Sequence, residues 1–219
     1  MAKHGESKHA KRSVVTRMVV IPRKMSKYYF RQLPGRHNVH TSVALAGMLR
    51  DVSGIAANDK EVKYLIKNSK VRVDGRIVRE KKYPVGFNDV IDVDSERYVV
   101  SLDERGKLVL NPSAGKENIK KIKVVAISKA RGGKGVLRLS DGENIIYDGT
   151  VQAGDSVSLD LEKRKVVKVT PFEQGQHAIV FVGKNAGKHG KIVRMEDEKV
   201  YLEKDGAEFS ADATACMVV

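Results

Sequence analysis

The sequence predicts an α+β protein of several domains, and three observations carry that expectation. Hydrophobic residues fill 41% of the 219 positions, enough for folded cores of modest size. One short region carries helical periodicity, and most of the chain beyond it breaks into brief alternating strands. Positive charge is loaded toward the front: ten of the first forty residues are Lys or Arg and only Glu6 is acidic, so this segment holds +9 of the +14 formal charge. Turn-rich stretches near Asp94-Ser95 and from Pro171 to Gly175 punctuate the rest. The expected division is a basic extended arm at 1–40, a small α/β module at 41–94, a β-rich central domain at 95–170 and a last small β domain at 171–219.

Composition removes several function classes. Cys216 is the one cysteine, so neither an intrachain disulfide nor a multi-cysteine zinc site can be assembled. Apolar runs fall well short of the ~20 residues of a membrane helix, and no apolar stretch of signal-peptide type follows the basic N-terminus. A soluble, cytoplasmic chain with no membrane partner is the expectation. No Ser-His-Asp or Cys-His set, metal cluster or nucleotide fingerprint stands out, so no enzyme, cofactor or small-molecule substrate is expected. His4, His9, His37 and His40 fall in the arm and read as part of its polar surface, because no cysteine or carboxylate set accompanies them.

The arm scatters its cations among short apolar pieces and a Tyr28-Tyr29-Phe30 cluster, a composition expected to build no core of its own. Nucleic-acid phosphate fits this chemistry. Each Lys or Arg that neutralises a phosphate releases condensed counterions, and aromatic rings and guanidinium planes stack on exposed bases. A solvated disordered tail is the alternative.

In the next module, Val43, Leu45, Met48, Leu49 and Val52 predict a helix over about 43–52, with Ser42 as cap and Gly54 as terminator. A second helix is predicted from Asp59 to about Lys67, with Asn58 as N-cap and Glu61 three residues on. At about 100° per residue, Val62, Leu65 and Ile66 gather on one side and Lys60, Lys63 and Lys67 on the other. Lys70 to Val78 then alternates, turns through Asp74-Gly75 and resumes, which predicts a hairpin. Val71 and Val73 share one face of its first strand, so Lys70 and Arg72 project from the other, and Arg76 flanks the turn.

The helix, VKYLIKNSKVRVDGRIV and KYPVGFNDVIDVD together resemble the RNA-binding fold of the small-subunit ribosomal protein numbered four. The run from Tyr83 to Ile91 is similar to the archaeal and eukaryotic e-type form of that family. Bacterial relatives of the module also occur on pseudouridine synthases, for whose catalytic domain no room remains.

The central segment reads as strands at 98–102, 107–110, 121–127, 136–139, 144–147, 156–161 and 166–169, so an all-β barrel or sandwich is expected. Lys116, Lys120, Lys121, Lys123, Lys129, Arg131, Lys134 and Arg138 crowd its first half, either as a second RNA contact or as a lysine-protected soluble edge. LDERGKLVL and GDSVSLDLEKRKVVKV resemble the central domain of the same family.

Beyond Pro171, HAIVFVGKNAGKHGKIVRMEDEKVYLE reads as strand, glycine-rich loop, strand, with glycines that allow tight turning and close approach to a ligand. Lys184, Lys188, His189, Lys191 and Arg194 decorate it. The nucleotide-binding pattern is absent, since Gly183 to His189 has one spacer too few and lacks the hydroxyl. The spacing is similar to the KOW motif of small SH3-like barrels.

Three resemblances in one order, spanning about 41–219, are similar to the e-type ribosomal family as a whole. KHAKR and Pro22-Arg23-Lys24 ahead of Pro34 to His37 resemble its leader, though the usual Trp is missing and Tyr28, Tyr29 or Phe30 stands in for it. The family's eukaryotic members continue into a basic tail beyond the point where Val219 ends this sequence. The resemblance implies a structural constituent of the ribosome whose partners are small-subunit ribosomal RNA and neighbouring ribosomal proteins. Arg12, Arg17, Arg23, Lys24, Arg31 and Arg36 of the arm, Lys60, Lys63, Lys67, Lys70, Arg72 and Arg76 of the module, and Lys184, Lys188 and Lys191 of the last loop are the expected phosphate ligands. The alternative is a free RNA chaperone or a transcription-associated KOW factor.

Overall fold

The computed structural model describes residues 9–21, 24, 27–113, 118–130 and 135–219. They form two compact units, one holding the chain through Ser101 with a return segment from Lys107, the other holding Leu102–Gly106 and the remainder.

The first unit departs from the sequence pattern at once. Ser42–Ala44 is a strand paired antiparallel with Pro84–Gly86, and only Leu45–Gly47 continues as α-helix before a π-helical turn at Met48–Val52. Every residue from Ser42 to Leu49 is buried, so the segment has no polar face for a surface helix to show. The first helical amides are met by carbonyls from another part of the chain instead of by a cap: Leu45 N donates to Tyr83 O at 2.8 Å and Ala46 N to Lys81 O at 2.9 Å. Ser42 is not a cap; its Oγ donates to Asn38 O at 2.7 Å. Gly54, at φ +70°, does close the turn after Val52.

The next helix, Asp59–Lys67, forms as its sequence predicts. Asn58 Oδ1 accepts from Lys60 N at 2.9 Å and Glu61 N at 3.0 Å, while Glu61 reaches back to Ala57 N, one residue before the cap. Val62, Leu65 and Ile66 are buried. The hairpin comes next: Val71–Val73 pairs with Arg76–Ile77, and Asp74 and Gly75 at φ +50° and +75° make a turn left-handed at both centres. These strands head a five-stranded antiparallel sheet continued by Val90–Val93, Glu96–Leu102 and Leu108–Pro112. Asp94-Ser95, expected as a module boundary, is therefore a hairpin turn inside one sheet.

The arm is not an extended leader over its described part. His9–Lys11 pairs with Tyr28–Phe30, Leu108 N donates to Met18 O at 2.7 Å, and Val19, Ile21 and Tyr29 are buried. Its end is held by charge. Arg36 places a guanidinium nitrogen 2.9 Å from the fully buried Asp74 carboxylate, whose other oxygen accepts from Val90 N at 3.0 Å. His37 Nε2 lies 2.8 Å from the buried Asp89 carboxylate, and its ring covers Gly86 so closely that a Cβ there would strike it. The His37 side chain is thus packed against the fold, 7% exposed, and is not part of an open polar surface.

The second unit carries two five-stranded antiparallel sheets. The first runs Asn144–Ile146, Gly135–Leu139, Ile119–Lys129, Ser156–Asp160, Lys165–Thr170, and the long strand is shared: residues 119–123 pair with 156–160, and residues 124–129 pair with 135–139 past an irregularity at Val125. Two of the clustered lysines turn inward. Lys120 is buried with its ammonium 3.2 Å from Asp141, and Lys123 donates to Ala213 O and, at 2.7 Å, to Cys216 O. Lys116, Arg131 and Lys134 lie outside the described residues. The last sheet is a meander of His177–Val180, His189–Glu196, Lys199–Lys204 and Ala207–Asp212, and Cys216–Val218 returns to pair with its first strand.

Arg36→Ala should remove a cation from the buried Asp74 carboxylate and lower the unfolding free energy by about 3 kcal/mol. A urea midpoint equal to that of the unaltered chain would refute this pairing. Lys123 supplies a pH test. Burial depresses its ammonium from 10.5 to about 8, so the unfolded chain binds more protons between those values and stability rises with pH there. Burial raises the Cys216 thiol from 9.0 to about 11, which acts oppositely above pH 9. Relative to Lys123→Met, the parent chain should therefore gain roughly 1 kcal/mol from pH 8 to pH 9 in denaturant titrations. A difference that stays flat would overturn the buried ammonium.

Candidate nucleic-acid interface

The Asp59–Lys67 helix sorts its side chains cleanly: the apolar trio anchors it, and Lys60, Lys63 and Lys67 stand exposed on the opposite side. They are not electrostatically equal. Lys63 lies 2.8 Å from Asp59, and Lys81 lies 3.5 Å from the same carboxylate. The hydrogen bond from Lys63 and the charge of Lys81 hold the Asp59 carboxyl below its ordinary pKa. In the hairpin, Lys70 sits 2.9 Å from Asp94, whose hydrogen bond raises the ammonium pKa, and lies 5.7 Å above the Tyr64 ring. Arg72 and Arg76 are exposed. Among the described residues, Lys60, Lys67 and Arg72 have no ion pair, so their charge faces solvent uncompensated.

Sequence reasoning missed the residues that complete this face. Lys63, Ile66 and Lys67 share a groove of about 610 Å³ with Arg79, Glu80 and Lys81, four cations against one acid. The run Arg79-Glu80-Lys81-Lys82 just after the hairpin was the available signal. Lys81 and Arg50 also flank the Phe30 ring, at 5.3 and 4.8 Å, with Arg50 held by both Asp51 oxygens at 2.9 Å.

The arm's cations divide. Arg17 and Lys24 are exposed and Arg31 half-buried. Arg12 is turned inward: its Nε donates to Tyr28 O at 3.2 Å, and its guanidinium lies 5.8 Å from the Tyr29 ring centre. Arg36 faces Asp74. Arg23 lies outside the described residues.

In the second unit, Lys184, Lys188 and Lys191 are all exposed. Lys188 lies 5.3 Å over the Phe209 ring, and Asn185 Nδ2 donates to Ser210 O at 2.8 Å, which fixes the loop on the meander. Gly187, at φ +88°, is required because a Cβ would strike the Asp103 carbonyl. That close approach is to the chain itself and not to a ligand, which corrects the role expected for this glycine. Cys216 is buried, and that burial raises its thiol pKa to about 11.

The S4 domain family matches residues 53–91, which contain the lysine-bearing helix and the hairpin, and Ribosomal family S4e matches residues 94–166. The small ribosomal subunit protein eS4 of Methanocaldococcus jannaschii is 34% identical over 212 residues, 92% of this chain and 86% of that protein. The protein of the same name from Nanoarchaeum equitans is 36% identical over 189 residues, 84% and 81% of the two chains. The crystal structure of the 30S ribosomal protein S4e from Thermoplasma acidophilum, 28% identical, superposes with a TM-score of 0.72 over 82% of this chain and 95% of that one. By identity along most of its length and by shared structure, the chain belongs to the eS4 family of small ribosomal subunit proteins.

Proposed function

We propose that this chain is a structural constituent of the small ribosomal subunit that binds and stabilises ribosomal RNA, works in the cytoplasm on subunit assembly and translation, and catalyses no reaction. The observation that carries this reading is the coincidence of the S4 domain match at 53–91 with the helix and hairpin whose Lys60, Lys67 and Arg72 face solvent without ion pairs among the described residues. Phosphate is the acceptor such cations fit, and 2′-hydroxyls and phosphates are what a folded RNA offers across its minor groove. Arg76, Arg79 and Lys81 extend the face, Lys63 and Lys70 join it by exchanging a carboxylate for a phosphate, and Arg17, Lys24 and Arg31 add the arm's contribution. Neighbouring ribosomal proteins are the remaining partners.

Residues 171–219 are read as the SH3-like KOW barrel. A four-strand meander, a 3-10 turn at Ala213–Ala215 and a last strand returning to the first support this, with Lys184, Lys188 and Lys191 as its RNA-facing cations. The basic arm at 1–40, the RNA-binding module expected at 41–94, with its sheet completed by the strands at Glu96–Leu102 and Leu108–Pro112, and the β-rich segment that follows to 170 complete the domain reading.

If about six phosphates are neutralised, the logarithm of the association constant for small-subunit rRNA should fall with log salt at a slope near −4 to −5. Lys60→Gln, Lys67→Gln and Arg72→Gln together should make the slope shallower by about 2 to 3 while the chain stays folded. A slope near zero for the unaltered chain would count against RNA binding. Sedimentation in high salt separates the ribosomal role from a free KOW factor: co-migration with the small subunit is the expected result, and accumulation in the soluble pool or with RNA polymerase would favour the factor.

A further inference from the structure

An aromatic ring stands on the cationic side of the Asp59–Lys67 helix. Val62, Leu65 and Ile66 anchor the helix from its buried side, whereas Tyr64 is 60% exposed. At about 100° per residue, Tyr64 falls about 40° from Lys60 and about 60° from Lys67, so the ring shares their side of the helix. At spacings of i,i+4 and i,i+3, both exposed lysines are its surface neighbours. Ring area left in water adds little to the stability of the fold.

The ring is also held in place. The helix ends at Asn68, which donates to Tyr64 O from its backbone N at 3.0 Å and from Nδ2 at 2.8 Å. The Lys70 ammonium lies 5.7 Å from the ring centre and is itself fixed 2.9 Å from Asp94. A ring this exposed, with a cation on one side, keeps room on the other for a flat ligand. Among the described residues, most other rings beside a cation are packed into the fold: Tyr29 is buried, and Phe30, Phe172, Tyr201 and Phe209 are half-buried. Tyr28 is exposed as well, but it lies outside the residues that match the S4 domain.

We propose that Tyr64 is a stacking platform for one unpaired base of small-subunit rRNA, with Lys60 and Lys67 taking the backbone phosphates beside that base. An exposed ring set among exposed ammonium groups matches the two parts of a nucleotide, the π face of the base and the negative charge of the phosphate. The base must be unstacked, because bases inside a continuous RNA helix keep their faces against one another. The partner of this face is therefore a loop, bulge or junction, not an uninterrupted duplex. The proposal deepens the rRNA-binding reading above and rests on it.

The test is filter binding of the full chain, across a salt series, to small-subunit rRNA and to an uninterrupted RNA duplex. Tyr64→Ala should weaken rRNA binding roughly tenfold, leave the log-log salt slope as it was because no cation is lost, and leave duplex binding unchanged. Tyr64→Phe should bind as the unaltered chain does, and Tyr64→Leu as poorly as Tyr64→Ala. The chain has no tryptophan, so Tyr64→Trp supplies a single reporter whose emission should be quenched by rRNA and not by the duplex. Circular dichroism and thermal melting establish that the variants are folded. If Tyr64→Ala leaves rRNA affinity intact while the Lys60, Lys67 and Arg72 substitutions still lower it, the platform is wrong and the main RNA face stands. If Tyr64→Leu keeps full affinity, or the tryptophan emission ignores rRNA, stacking is overturned. Equal loss of duplex binding in Tyr64→Ala would overturn the unpaired base. If the unaltered chain binds without salt dependence, both readings fall.

Discussion

Two carboxylates held out of water constrain the first unit more than any other feature. Asp74 is wholly buried because its carboxylate caps the strand beyond its own turn, accepting from Val90 N, and Asp89 is buried because it accepts from Gly86 N. A buried anion needs a partner cation and hydrogen bonds, or it neutralises or forces the structure open. Arg36 supplies a cation to Asp74, and His37, adjacent in sequence, meets Asp89 through Nε2 at 2.8 Å. The segment that reads as an arm is therefore tied to the module at its far end, while Val19, Ile21 and Tyr29 bury the part in between.

The same constraint explains how the chain uses its many cations. A Lys or Arg within reach of an internal acceptor becomes structural, as Arg12, Arg36, Lys120 and Lys123 do. Where the surrounding backbone is already satisfied by helix or sheet, the cation is left at the surface, as Lys60, Lys67 and Arg72 are. Surplus charge on these rigid elements is what an RNA backbone can use, since the cations are displayed without further ordering of the main chain. Cations spent on internal carboxylates and carbonyls are unavailable to RNA, so net charge overstates the interface.

Much of the fold was legible in the sequence where a local rule and the tertiary environment agreed. Asn58, the apolar trio and the three lysines fixed the Asp59–Lys67 helix because capping and amphipathicity act within a few residues. Asp74-Gly75 fixed the hairpin because only those residue types accept left-handed backbone at both positions. The seven central strands all appear near their expected places, although the first two complete the module's sheet instead of opening a new one. The expected helix over 43–52 begins only at Leu45, because the apolar spacing of Val43 and Leu45 suits a helix face and a buried strand-to-helix corner equally well.

By itself the sequence determined the elements with local causes, the surplus of positive charge and, through its three successive resemblances, the family. Which side chains that charge sits on at the surface was decided only by tertiary structure. Lys120 and Lys121 are neighbours with the same chemistry, yet one is buried against Asp141 and the other exposed beside Ser158. Nothing in their own residue types separates them. Strand parity and the position of a carboxylate 21 residues away decide it, because burial is a property of the packed sheet and not of the residue.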